Sequence, residues 1–219
     1  VEDCALTLGS KINGKTVGNF GNAALFSTDH SKPLNTLTGG LVYSRDTNLV
    51  SQLRKRQGES KDLPVERQKG LFRRLLLERK YCHPDRYGQM AMIEHFRRVW
   101  KWAEKPFLDE DYGVSSSSSY PYPAKFPSFL AILGLLEIER WPRVSAERKT
   151  ILRELLEASK QLGLNEMLPA AYWDTDREIV PLRLAWHASD GKQQRNRLEE
   201  HIDVSLTWFM KPIVATPEP

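Results

Sequence analysis

Cys82, His83 and Asp85 fall within four consecutive residues and supply a thiol, an imidazole and a carboxylate, the side-chain types used in nucleophilic catalysis. Catalysis requires such groups to converge on one substrate atom, and neighbours on one loop rarely do so. The cluster therefore does not read as a nucleophile, base and orienter. Two acidic runs, Asp109-Glu110-Asp111 and Asp174 with Asp176, lack the additional oxygen ligands and set glycine of a calcium loop, and read as solvated turns. His95, His187 and His201 have no ligand-type neighbours at metal-binding spacing and read as ordinary hydrogen-bonding residues. The chain contains no glycine-rich phosphate loop, no G-x-S-x-G and no H-E-x-x-H. On these grounds we expect a non-catalytic chain with no cofactor and no metal.

The elements that position these residues follow from apolar spacing. From Val1 to about Gly40 the chain is rich in Gly, Asn, Ser and Thr with two apolar islands, Ala5 to Leu8 and Ala23 to Phe26, which predicts an extended arm or loose hairpins. Gly39-Gly40 would be a hinge. A short helix is expected over Asn48 to Gln57, and a longer one with Pro64 near its first turn and Leu71, Phe72, Leu75 and Leu76 as its stripe. Pro84 ends it. Beyond Gln89, Ile93, Phe96, Trp100, Ala103 and Phe107 step by three and four, the strongest helical period in the chain.

Five serines from Ser115 and the Tyr-Pro repeat after them mark a linker. A nearly all-apolar helix, buried on most sides, is expected from Ser128 to Ile138. A second should run from Ser145 to a stop at Gly163, then a short strand at Leu182 to Trp186 and a last helix over about Gln193 to Met210.

Composition sets wider limits. The 219 residues carry 32 Lys+Arg against 28 Asp+Glu, a net charge of +4, and 40% hydrophobic residues, which suits a folded chain with a mild basic bias. The dense basic block runs from Arg54 to Arg86 but is interrupted by acids. In Arg97-Arg98-Val99-Trp100-Lys101-Trp102 the spacing suits an amphipathic helix better than base stacking. Two distant cysteines argue against a disulfide framework and for a reducing intracellular compartment, with the matrix side of a mitochondrion as one setting. Val1 at the first position suggests processing or truncation, and no apolar run is long enough to span a bilayer.

The residues around His83-Pro84-Asp85 resemble a J-domain, the co-chaperone module that stimulates heat-shock chaperone ATPases. Leu71 to Tyr81 stands for its basic second helix. Phe96-Arg97-Arg98-Val99, Ala103 and Phe107-Leu108-Asp109 stand for its third helix, and Tyr112-Gly113 for its close. Cys82 departs from the pattern, since the family usually has Tyr directly before His. The resemblance covers about residues 47 to 113. It implies that His83, Pro84 and Asp85 contact the chaperone while Arg73, Arg74, Arg79 and Lys80 meet its acidic surface.

The expectation is therefore a mainly α-helical fold: an extended arm with little β structure over 1–46, a J-like helical hairpin over 47–113, a Ser/Pro-rich linker over 114–127 and a C-terminal helical unit over 128–219. The function expected is protein interaction, as a chaperone partner or scaffold. The alternatives are a structural accessory subunit of a large complex, organellar or mitochondrial, and an RNA-contacting protein of ribosomal type.

Overall fold

Glu2–Asp3 (β1) lies parallel to Ala24–Ser27 (β4), and Gly40–Tyr43 (β5) runs antiparallel on the other side of β4, giving a sheet of order β1-β4-β5. Ala24 is fully buried at its centre. Glu2 fixes β1 to the chain that enters β4: its carboxylate accepts the N–H groups of Gly18 at 2.7 Å, Phe20 at 2.5 Å and Gly21 at 2.5 Å. The Gly21 N–H above all holds this carboxyl below its ordinary value. A second sheet joins Lys11–Ile12 (β2), Lys15–Thr16 (β3) and, far along the chain, Arg177–Glu178 (β8) in the order β3-β2-β8.

Thr47–Glu59 forms α1, whose first turn is capped by Asp46: its side chain accepts Asn48 N–H at 2.9 Å and Leu49 N–H at 3.1 Å. No residue of α1 is buried. Lys61–Asp62 (β6) pairs parallel with Ala124–Lys125 (β7), the only partner of β6 among the described residues. Val65–Tyr81 forms α2, starting directly after Pro64, and Ser128–Gln161 forms α3. Leu63, Leu71 of α2, Leu130 of α3 and Leu37 make the buried cluster, with Phe126, Phe129 and Leu133 packed against it.

The chain is described by a computed structural model covering residues 1–81, 92, 123–187, 190, 193, 196 and 197. These fall into two units, one of Val1–Ile151 with Asp176–Leu182, the other of Leu152–Thr175 with the described residues from Arg183 onward. In the second unit α3 ends in a Schellman turn: Gly163 adopts φ +69° and donates to Lys160 O at 3.1 Å, and Leu164 donates to Ser159 O at 2.8 Å. Tyr172 Oη accepts Ala185 N–H at 3.1 Å.

The expected mainly α-helical fold is corrected to a mixed α and β one. Residues 1–46 are not an extended arm with little β, because β1 to β5 all lie within them. Their strands are two to four residues long, too short for alternation to show in the sequence. Gly39 is no hinge: it adopts φ +103° and a Cβ there would meet Phe126 Cε2 at 2.5 Å, so the position requires glycine. The helices expected on either side of residues 139–144 are one, since α3 runs through Pro142. Its apolar face is not buried on most sides: Ile132 and Leu135 are 60% and 68% exposed. The described residues carry no strand at Leu182 to Trp186. Among them, no helix is long and apolar enough to cross a membrane.

The β2–β8 contact makes stability depend on pH. Glu178 receives Lys149 Nζ at 2.8 Å and Lys11 Nζ at 3.0 Å, and these hydrogen bonds, Lys149 first, hold its carboxyl below the ordinary 4.5. A depressed carboxylate contributes stability above its unfolded value, and that contribution is lost as pH falls through the lowered folded value. Glu178→Gln should therefore be less stable than the parent at pH 7, with the gap closing as pH drops below 4.5, measured by urea unfolding across pH. A gap that persists unchanged into acid would show that the carboxylate's charge is not what matters.

Candidate active site

Parallel strands send their C-terminal ends to the same side, and open α/β sheets bind ligands beyond those ends. Here that side of β1 and β4 carries Asp3, at the end of β1, and the segment 28–39 that leaves β4 and returns as β5. Asp3 is exposed and accepts Ala5 N–H at 3.0 Å.

The 28–39 segment closes on itself through buried threonines. Thr28, Thr36 and Thr38 are all under a tenth exposed. Thr36 Oγ1 lies 2.7 Å from Thr28 Oγ1 and 2.8 Å from Thr38 O, while Thr36 N–H donates to Thr28 O at 2.9 Å and Thr28 N–H to Gly39 O at 3.0 Å. Buried polar groups are tolerated only when paired, and these pair with each other. Leu37 adopts φ +68°, which disfavours a side chain, yet is 1% exposed within the leucine cluster. Packing holds it there, as over-determined strain at a functional loop commonly is.

At the tip stands Lys32. Its N–H donates to Asp29 O at 2.9 Å. Of the other lysines up to residue 73, Lys11 is bound to Glu178, and Lys15, Lys55, Lys61 and Lys69 are exposed. Lys32 is half-buried on an irregular segment, where positioned nucleophiles are expected. Ser31 beside it holds a buried hydroxyl oxygen with no hydrogen-bond partner.

The Asp29 carboxylate forms a close ion pair with His30 Nδ1. Burial pushes the Asp29 carboxyl up, but the His30 hydrogen bond and charge, the Ser31 N–H and the charge of Lys32 outweigh burial and leave it lowered. The Asp29 hydrogen bond raises His30 against the opposing effect of burial. From α2, Glu78 adds to the rise and Arg74 subtracts from it.

All three residues of the expected contact loop, His83, Pro84 and Asp85, lie outside the described residues, as do Cys82, the Arg97 to Trp102 stretch and Asp109 to Asp111. Of the basic residues assigned to an acidic partner, Arg73, Arg79 and Lys80 are exposed on α2, Lys80 lying over the Tyr81 ring. Arg74 is not presented outward: its Nε donates to Glu78 Oε1 at 2.6 Å, with both side chains mostly covered. Of these four, three are exposed and Arg74 is covered. The structure gathers Asp29, His30, Ser31 and Lys32, which the sequence reading passed over. The missed signal is a lysine in a Ser/Thr/Asn-rich turn between two short apolar runs, 23–26 and 41–43.

The described part of the second unit holds a cavity of about 330 Å³, lined by Leu164, Met167, Leu168, Leu184 and Trp186 with Ser159 and Arg197. This lining has no lysine, imidazole or carboxylate. No cluster of three or more potential metal ligands occurs among the described residues.

Residues 1–73 match the model of the DegT/DnrJ/EryC1/StrS aminotransferase family. The match takes in both sheet strands around the lysine loop, all of α1 and the first half of α2. The chain is 40% identical over 68 residues to a GDP-perosamine synthase of Escherichia coli O157:H7, covering 31% of this chain and 18% of that protein. It is 44% identical over 55 residues to a UDP-N-acetyl-3-dehydro-alpha-D-glucosamine 3-aminotransferase of Acidithiobacillus ferrooxidans, covering 25% and 15%. The matched segments thus span under a fifth of these relatives. The X-ray structure of an aminotransferase from Psychrobacter cryohalolentis superposes with a TM-score of 0.50 at 18% identity, over 84% of this chain and 38% of that one, a likeness of fold.

These findings overturn the J-domain resemblance, whose span from residue 47 begins inside the aminotransferase match. With it go the co-chaperone, scaffold and accessory-subunit roles, the chaperone ATPase or large complex as partner, and the expectation of a non-catalytic chain. The physical reason is visible in α2, whose Leu71 packs on Leu37, Leu63 and Leu130 and so belongs to the lysine-loop core.

The threonine closure is testable. Thr36→Val keeps the shape and removes the hydroxyl, leaving buried acceptors unpaired, and should cost about 1–3 kcal/mol in denaturant unfolding. A loss under about 0.5 kcal/mol, the range of neutral surface changes, would show that backbone hydrogen bonds close the loop alone.

Proposed function

We propose that this chain is part of an aminotransferase that delivers an amino group to a keto carbon of a nucleotide-linked sugar, with Lys32 as its reactive amine. The observation that carries the reading is that the family match covers the very segment whose folding sets one half-buried lysine on a threonine-closed loop at the C-terminal ends of parallel strands. The nucleotide-linked sugar comes from the names of the relatives matched over that segment.

Amino transfer of this kind uses pyridoxal phosphate, which when bound supplies an aldehyde for a lysine amine and an aromatic ring that takes up electrons. The residues present fit such a group. Lys32 is the amine, the unpartnered Ser31 hydroxyl is a hydrogen-bond donor available to an oxygen-rich ligand, and Asp3 is a carboxylate suited to a ring nitrogen. Lys32 acts as nucleophile and proton carrier at Nζ. The buried loop around it limits its wandering, which is how positioned groups gain over free ones.

The test uses the full-length protein that carries this segment, supplied with pyridoxal phosphate, an amino donor and a panel of nucleotide-linked keto sugars. Lys32→Ala should abolish amino-sugar formation, on the order of 10³-fold or more, as loss of a covalent nucleophile does. Amino transfer surviving in Lys32→Ala would reject Lys32 as the reactive amine. Turnover of amino acids but of no nucleotide-linked sugar would reject the substrate class.

A further inference from the structure

We propose that Asp29 and His30 form a pH-sensitive latch on the 28–39 loop: with the imidazole protonated the two side chains clasp and the turn is held, and with the imidazole neutral the clasp lets go. The latch stands apart from the role given to Lys32, since it concerns only how firmly the loop is closed. His30 is attached twice. Its N–H donates to Leu37 O at 3.3 Å, across the two limbs of the loop, and its Nδ1 is ion-paired with the Asp29 carboxylate. Asp29 in turn receives Lys32 N–H on its carbonyl at 2.9 Å and Ser31 N–H on its carboxylate. One side-chain contact thus joins the turn at 29–32 to the limb that carries Leu37.

Only an imidazolium gives that contact its full strength, because a neutral ring meets the carboxylate without an opposite charge. The Asp29 hydrogen bond is the largest influence on His30 and raises it above its ordinary 6.5, against burial. A raised imidazole contributes stability that is fully present below 6.5 and is lost as pH rises through the folded value. The Asp29 carboxyl is lowered from 3.8 despite burial, so its share is present above 3.8 and is lost as pH falls through the lowered value. The latch is therefore engaged in mild acid and slackens on the alkaline side of 6.5. Among the described residues, the other charged groups facing this pair are Lys32 on the loop and Glu78 and Arg74 on α2, of which Glu78 favours the imidazolium and Arg74 opposes it. Glu78 and Arg74 are bonded to each other at 2.6 Å, which leaves Asp29 as the partner of the imidazole. His30 is 42% exposed at its side chain, so solvent protonates it with the loop closed.

The experiment reads backbone hydrogen exchange in the full chain, with no cofactor or substrate, from about pH 5.5 to about pH 8.5, the range over which histidine changes charge. Each rate is divided by the intrinsic rate at that pH. The amides of residues 30 and 32 report the loop, and the Val50 amide, bonded to Asp46 O at 3.0 Å on α1, is the reference. Protection of the two loop amides should fall about two- to fivefold as pH rises through the His30 titration, the worth of a partly exposed ion pair, while Val50 stays level. In His30→Gln the loop amides should show the weaker protection already at the acid end and no step. Asp29→Asn should do the same, so either variant serves where the other fails to fold. A merely structural role for His30 predicts a parent without a step, and variants less protected by the same factor at every pH. A parent without a step, or a step that survives in either variant, would overturn the proposal. No amino transfer enters the measurement, so failure here leaves Lys32 as the reactive amine untouched, and loss of that reading leaves the latch standing.

Discussion

The arrangement rests on Leu37. A leucine at φ +68° is strained, and it stays there because its side chain is sealed among Leu63, Leu71 and Leu130. That single anchor ties the lysine loop to the segment after α1, to α2 and to α3. With Leu37 fixed, Thr36 and Thr38 are forced inward and must satisfy their hydroxyls and carbonyls locally, which they do with Thr28 and Gly39 across the base of the loop. Gly39 can then follow only as glycine, since Phe126 fills the space a side chain would need. The chain between these clamps is short, so Lys32 has little freedom.

The same geometry explains how charge is handled. The loop brings a carboxylate and an imidazole together where solvent reaches some atoms and not others, and the Arg74–Glu78 pair of α2 adds two opposite charges that His30 feels. Such groups interact more strongly than on an open surface because less water screens them. The exposed pairs elsewhere, such as Lys69 with Glu66, contribute little. Arg74 illustrates the difference. On sequence it belongs to a basic stripe, yet its guanidinium is spent within the chain.

Local signals were legible and non-local ones were not. Pro64 before Val65 and Gly163 after Gln161 each start or end a helix through one or two residues, and each stands where the sequence puts it. The β structure depends on partners far away: Glu2 needs Gly21, and Lys11 needs Glu178. A two-residue strand has no period to read. Two helices were expected where α3 runs unbroken through Pro142, since a proline inside a helix costs stability but does not end a helix whose other residues hold it. The candidate site was hidden for a related reason. Lys32 is ordinary by composition, and only the closure of its loop distinguishes it. His83-Pro84-Asp85 is uncommon as a string, which is no measure of convergence.

The central claim is that Lys32 is the amine that takes pyridoxal phosphate. The most direct measurement loads the protein with pyridoxal phosphate, reduces it with borohydride so that any lysine carrying the group is marked permanently, and maps the mark by peptide mass spectrometry. The account predicts one mark, stoichiometric, on the peptide containing Lys32. A mark on another lysine, one spread over the exposed lysines, or none would contradict it.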